Sequence, residues 1–185
     1  MFLKIAFILF LLFSVQLLYG QETIRPVSWA QKVDTSSFKN LYKVNDSIYR
    51  SDQPDSLDLT ALNNMGVKSL LNLRRHHMDA QFMGKTDLNL FTVKMNAHHF
   101  TDEQIIEALK VLKTSPKPLV VHCLHGSDRT GVVLAMYRLV FQNWTKEQAL
   151  DEFKNGGYGF HKIFINIPAY IKKVDIEKIR AKVLQ

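Results

Sequence analysis

"VHCLHGSDRTG", Val121–Gly131, decides how this chain is read. It contains the only cysteine, Cys123, together with two histidines, an aspartate, an arginine and two glycines. The apolar run "PLVVHC" (Pro118–Cys123) leads into it and predicts a buried strand. The run "TGVVLAMYRLVF" (Thr130–Phe141) leaves it and predicts an apolar helix. Where a polar loop joins a strand to a helix N-terminus, backbone N–H groups can turn inward and the helix dipole adds positive potential. Five residues separate the thiol of Cys123 from Arg129, whose planar fork can grip a phosphate at two oxygens. The same field favours a thiolate over a thiol. Gly126 permits an unusual backbone angle in the loop. Gly131 lets loop and helix pack closely, and the Thr130 hydroxyl is placed to donate to the thiolate. A buried structural cysteine in a strand-to-helix turn is the plain alternative, and it leaves Arg129 unexplained.

Outward from this stretch, apolar runs of strand and helix type alternate. "SIYRS" (Ser47–Ser51), "VKSLLNL" (Val67–Leu73) and "NLFTVKM" (Asn89–Met95) predict further strands. A helix fits Ser56–Met65, stopped by Gly66. Two Thr-x-x-Gln capping boxes, Thr101–Gln104 and Thr145–Gln148, open helices over "TDEQIIEALKVLK" and "TKEQALDEFKN", the latter ending at Gly156 and Gly157. A last helical stretch is predicted over Ile165–Val183, with Pro168 near its start. This alternation predicts an α/β fold, a three-layer sandwich whose central, largely parallel sheet is flanked by helices. Sites in such sheets lie at the C-terminal ends of strands, which is where Cys123 falls.

With 185 residues, 46% of them hydrophobic, the chain suits one packed domain. Residues 1–20, "MFLKIAFILFLLFSVQLLYG", have one early lysine and a long apolar run, the pattern of a signal peptide cut after Gly20. That reading expects an exported protein, periplasmic or secreted; the alternative is an uncleaved anchor that tethers the protein to the membrane. Residues 21–40 read as a polar lead-in, and residues 41–185 as the catalytic domain. The net charge of +7 suits anionic substrates or an anionic membrane surface. No Lys/Arg run exceeds two residues, which argues against a nucleic-acid arm. A single cysteine excludes a disulfide within the monomer.

"HCLHGSDRTG" resembles the His-Cys-x5-Arg-(Ser/Thr)-Gly signature of cysteine-based protein tyrosine and dual-specificity phosphatases. "IYRSDQP" and "GVKSLLNLR", within Ile48–Arg74, are similar to the first half of small atypical members of that superfamily. "GGYGFH" (Gly156–His161) resembles the end of bacterial members. The resemblance implies a phosphomonoesterase that needs no metal or other cofactor. Cys123 would attack phosphorus to form a cysteinyl-phosphate, which water then hydrolyses. Arg129 and the amides of Leu124, His125, Gly126, Ser127 and Asp128 would hold the phosphoryl oxygens. His122 would tune the thiolate from behind the loop. The substrate would be a phosphoprotein or a phosphoinositide-like polyol phosphate. The enzyme alternative is a rhodanese-like sulfurtransferase, and the non-enzyme alternative is a phosphate-binding module.

One part of the pattern is missing. The family's usual acid, an aspartate about 30 residues before the cysteine, would fall in "VKMNAHHF" (Val93–Phe100), which has no carboxylate. Asp102, Asp87, His98 and His99 are candidate proton donors. So is Asp128, inside the signature, because myotubularin and Sac-type phosphoinositide phosphatases also place an aspartate before the signature arginine. Asp128 is the chosen catalytic acid. Capping of loop amides, or pairing with an arginine such as Arg74, is its structural alternative. The seven histidines invite a zinc reading, but no Cys/His spacing fits one and no metal is expected. Arg74 and Arg75 are expected in the cleft lining, with Arg74 alternatively bracing the loop.

Overall fold

Leu119–His122 is apolar but for its last residue and buried on both faces, the mark of a central parallel strand. The computed structural model describes residues 25–34, 38–76, 78–82 and 86–185. The apolar segment 1–20 and His77 lie outside the described residues. The strands are β1 (Gln31–Lys32), β2 (Tyr42–Lys43), β3 (Ile48–Ser51), β4 (Ser69–Asn72), β5 (Asn89–Thr92) and β6 (Leu119–His122). They form one sheet in the order β1-β2-β3-β6-β4-β5. The pairs β3–β6, β6–β4 and β4–β5 are parallel, and β1–β2 and β2–β3 are antiparallel. In register, Ser51, His122, Asn72 and Thr92 end the four parallel strands at one edge.

The helices are α1 (Ser56–Asn64), α2 (Asp102–Thr114), α3 (Asp128–Phe141), α4 (Lys146–Asn155), α5 (Asn166–Lys173) and α6 (Ile176–Leu184). Side chains alternate along each strand, so each face of the sheet needs its own cover. Val120 and Leu70 pack with Leu59 and Leu62 of α1 on one face. Leu119, Val121 and Leu71 pack on the other face in the larger core, with α2 to α6. The result is a three-layer α/β sandwich around a mixed, mainly parallel sheet. α3 is buried nearly all round, as the apolar runs Val132–Met136 and Leu139–Phe141 require.

The two Thr-x-x-Gln boxes form as read, with Thr101 and Thr145 each accepting from the backbone N–H of the glutamine three residues on. Asp55 and Asp58 make a third box at the start of α1. Two expectations change. The last helical stretch is two helices, because Val174 turns extended (ψ 139°) and Asp175 then caps α6 by accepting from Lys178 N–H. Residues 25–34 are no loose lead-in. The Arg25 guanidinium donates to the carbonyls of Ala30 and Gly156 and to the Tyr158 hydroxyl, each at 2.7 Å. Ala30 N–H donates to the buried Glu152 at 2.7 Å, and Glu152 also accepts two bonds from the buried Arg138. A buried carboxylate needs such partners, so this segment closes a polar knot behind α4.

Candidate active site

The loop between β6 and α3 takes its shape from what its carbonyls bind. Leu124 O accepts from Gln53 N–H at 3.2 Å, and His125 O from the Asn40 amide at 2.6 Å. Gly126 O accepts from Arg50 Nη2 at 2.6 Å. Three successive carbonyls therefore point outward. Across each trans peptide the next N–H points the opposite way, so the amides of His125, Gly126 and Ser127 turn into the hollow of the loop. Gly126 has φ +69°, and a Cβ there would stand 2.5 Å from the Ser51 carbonyl oxygen. Only glycine fits this close crossing of loop and β3. At the start of α3, Ser127 makes no capping bond to the helix and its hydroxyl donates instead to Tyr158 O at 2.5 Å. The first amides of α3 are thus left for an anion.

Cys123 is a free thiol, 1% exposed, where the loop leaves β6. Arg129, the second residue of α3, lines a cleft with Arg75, His76, Asn96, His98 and Phe164. Its Nε–H is buried with no acceptor among the described residues. Such a donor costs about 1–3 kcal/mol, and an oxyanion in the hollow would satisfy it. Leu124, His125 and Ser127 line a second hollow on the loop's outer flank with Asn40, Asp52, Tyr158 and His161. The Thr130 hydroxyl is buried and makes no hydrogen bond among the described residues, Cys123 included. The expected bond to the cysteine sulfur is therefore not made, which corrects the reading of Thr130 as thiolate support. Gly131 packs against the Phe153 ring of α4, so its missing side chain serves contact between α3 and α4 rather than the expected packing of loop on helix.

His122 is fully buried, with Nε2 3.1 Å from Asp79 Oδ2 and Nδ1 3.4 Å from Cys123 O. A carboxylate only accepts, so Nε2 carries a hydrogen. Asp79 also accepts from the Gln53 amide at 3.1 Å. Asp79 opens a short 3-10 helix 43 residues from its partner, where no local spacing in the sequence signals it. Arg50 was quoted only as part of the family pattern. It is the loop brace, 2% exposed and stacked over the Tyr158 ring at 3.4 Å. Burial pushes its pKa down, and the charges of Tyr158, Glu152 and Cys123 oppose that. Arg74, the expected brace, donates to Gln53 Oε1 at 3.2 Å and to no loop carbonyl among the described residues.

The candidate proton donors separate by position. Asp87 precedes β5, at the end of the sheet opposite Cys123. That is at least about 13 Å away along the strands, so it is not an acid for this site. Asp102 accepts from the Tyr170 hydroxyl at 2.8 Å and lies 3.9 Å from Lys178, an anchor between α2, α5 and α6. Burial, with Asp102, pushes the Tyr170 phenol up. His99 is exposed. His98 lines the cleft with Arg129 and sets its ring 4.7 Å from Phe164. Asp52, not singled out from sequence, is raised by burial, with backbone hydrogen bonds opposing. It sits on the carbonyl side of the loop, its N–H near Gly126.

Asp128 lies in the first turn of α3 and is nearly buried, and its carboxylate is engaged. Oδ1 accepts from His161 N–H at 3.0 Å, and Oδ2 lies 2.8 Å from His161 Nδ1. It pairs with neither Arg74 nor the loop amides in these bonds. His161 Nδ1, Asp128 Oδ2 and a His125 ring nitrogen lie within 4.8 Å of one another, the one group among the described residues close enough to consider for a metal ion. Ligand atoms around tetrahedral zinc stand about 3.3 Å apart, given bonds of about 2.0–2.1 Å. The 2.8 Å contact is a hydrogen bond instead.

The model of the tyrosine phosphatase family matches residues 36–184. The dual specificity protein phosphatase TpbA of Pseudomonas aeruginosa (strain UCBPP-PA14) is 32% identical over 167 residues, covering 88% of this chain and 75% of TpbA. A crystal structure of P. aeruginosa TpbA in complex with pTyr has a TM-score of 0.79 at 29% identity, covering 87% of this chain and 99% of that one. The inositol diphosphatase DSP3 of Arabidopsis thaliana is 27% identical over 153 residues, covering 76% of this chain and 72% of DSP3.

Proposed function

The chain belongs to the tyrosine phosphatase family, a phosphatase of the cysteine-based type, and from that premise we propose how its residues divide the work. The Cys123 thiolate attacks phosphorus, and the bond to the substrate oxygen breaks as that oxygen gains a proton. Water then attacks the cysteinyl-phosphate, the S–P bond breaks and inorganic phosphate leaves. The inward amides of His125, Gly126 and Ser127, with Arg129, hold the three equatorial oxygens as charge spreads over them. The observation that carries this reading is the outward turn of the carbonyls of Leu124, His125 and Gly126. It leaves a hollow lined by donors at the start of α3, whose second residue, Arg129, has a buried N–H with no acceptor among the described residues.

The proposed substrate is an aryl phosphomonoester of the phosphotyrosine kind, as in the pTyr complex of the relative. A phosphorylated inositol is a second reading. Arg75, His76 and Lys94 line a hollow beside the cleft, and Arg75 and His76 line both, so added phosphates would meet cations. Phosphate release from phosphotyrosine peptides and from inositol phosphates separates the two. Wild type is expected to turn over at least one class, and Cys123→Ser neither. Turnover that survives Cys123→Ser sinks the mechanism. Transfer of sulfur from thiosulfate to cyanide would instead favour the sulfurtransferase alternative. Binding of phosphate esters without turnover would favour the binding module.

A further inference from the structure

We infer that His161, oriented by Asp128, is the proton donor to the leaving oxygen. The inference rests on the phosphatase reading above and names the acid which that reading lacks. Val93–Phe100 offers no carboxylate. Asn96, which lines the cleft, turns its side-chain oxygen to the N–H of His98. Asp128 is in the right loop, but both of its oxygens already meet N–H groups of one residue, His161. An ionised carboxylate accepts and does not donate, so His161 Nδ1 carries a hydrogen. The side chain of Asp128 is 7% exposed and that of His161 45%. A buried carboxylate thus fixes the ring while the ring itself reaches open space. This is the division of labour in which an aspartate sets the tautomer and tilt of an imidazole and the other ring nitrogen moves the proton.

Position supports the role. The segment carrying His161 is fastened to the phosphate loop at several points. Ser127 Oγ donates to Tyr158 O, and the Asn40 amide bridges the carbonyls of His125 and Tyr158. Gly159, at φ +79°, brings the chain so near that a Cβ there would stand 3.3 Å from Ser127 Oγ. The His161 ring lies 5.0 Å from the His125 ring on one side. On another it meets Phe164 edge-on at 6.2 Å, and Phe164 lines the cleft with Arg129. His161 therefore lines the hollow on the loop's outer flank and, through Phe164, borders the cleft that Arg129 lines.

The protons balance over the cycle. In the first step protonated His161 gives its Nε2 proton to the bridging oxygen as the P–O bond breaks and the S–P bond forms. In the second step neutral His161 takes a proton from the attacking water as the S–P bond breaks. The thiolate and the protonated imidazole are both restored. Asp128 is a positioning residue in this scheme and touches no reacting atom.

The test compares kcat/KM for phenyl phosphate, whose leaving group needs a proton, with that for p-nitrophenyl phosphate, whose leaving group does not. In the full chain His161→Gln is expected to lose about 100-fold or more on phenyl phosphate and less than about five-fold on p-nitrophenyl phosphate. Asp128→Asn preserves the side chain's shape and is expected to show the same split at about ten-fold, which decides the matter if His161→Gln does not fold. Equal losses on both substrates in Asp128→Asn, or no loss, overturn the proposal. So does a split that appears in His98→Ala or Asp52→Asn and not in His161→Gln. The underlying reading fails separately, through p-nitrophenyl phosphate turnover that persists in Cys123→Ser.

Discussion

Arg50 is remote in sequence from the cysteine, yet it sets the loop's shape. It donates to the Gly126 carbonyl from beneath and stacks on Tyr158, while Gly126 crosses over Ser51 with no room for a side chain. Gly126→Ala combines two costs. The left-handed backbone costs a non-glycine residue about 1–2 kcal/mol. A methyl group pressed on backbone that cannot move away costs about 1–3 kcal/mol more. A loss of about 2–5 kcal/mol in urea unfolding is expected, and a loss below about 1 kcal/mol would mean that the crossing is looser than described. At this scale the sequence was most legible where chemistry is local. Cys123, Arg129 and Gly126 announce themselves through spacing within one loop. Asp79, Arg50 and the partner of Asp128 do not, because each acts across a long separation in the chain. Thr130 was misread because a hydroxyl beside a cysteine in sequence does not fix where that hydroxyl points.

Helices and strands were read from period and caps, and both signals are short-range. Thr145 and Gln148 satisfy each other's backbone N–H groups at the start of α4, far from the loop. Thr145→Ala is expected to cost about 1 kcal/mol in unfolding and to leave kcat/KM within about two-fold. An unchanged stability would show that the box contributes nothing, and a larger activity loss would tie the start of α4 to the site. The split of the C-terminal stretch into α5 and α6 shows the limit of period alone. Apolar residues continue through Val174, but Asp175 offers a cap, and a cap ends one helix by starting the next. The strand β2 was missed because two residues carry too little alternation to register, and its pairing with β3 is set by the fold around it.

The whole molecule places three segments around one loop. β3 and the turn after it hold the carbonyl side, the stretch after α4 holds the rim, and residues 25–34 lock that stretch through Arg25, Glu152 and Tyr158. Burial pushes the Tyr158 phenol up, which suits its place as a neutral hydroxyl between Arg25 and Glu152. The layered fold was legible because alternating strand and helix patterns leave few arrangements open. The polar lead-in was misjudged because its anchors, Arg25 and Ala30, bind partners more than 120 residues away. In the proposed mechanism one sulfur attacks phosphorus, and that step would leave a mark. Wild type mixed with p-nitrophenyl phosphate, quenched within a turnover and mapped by peptide mass, is expected to carry phosphate on Cys123, and Cys123→Ser to carry none. Steady turnover with no phosphate on Cys123, or phosphate on any other residue, would contradict the mechanism.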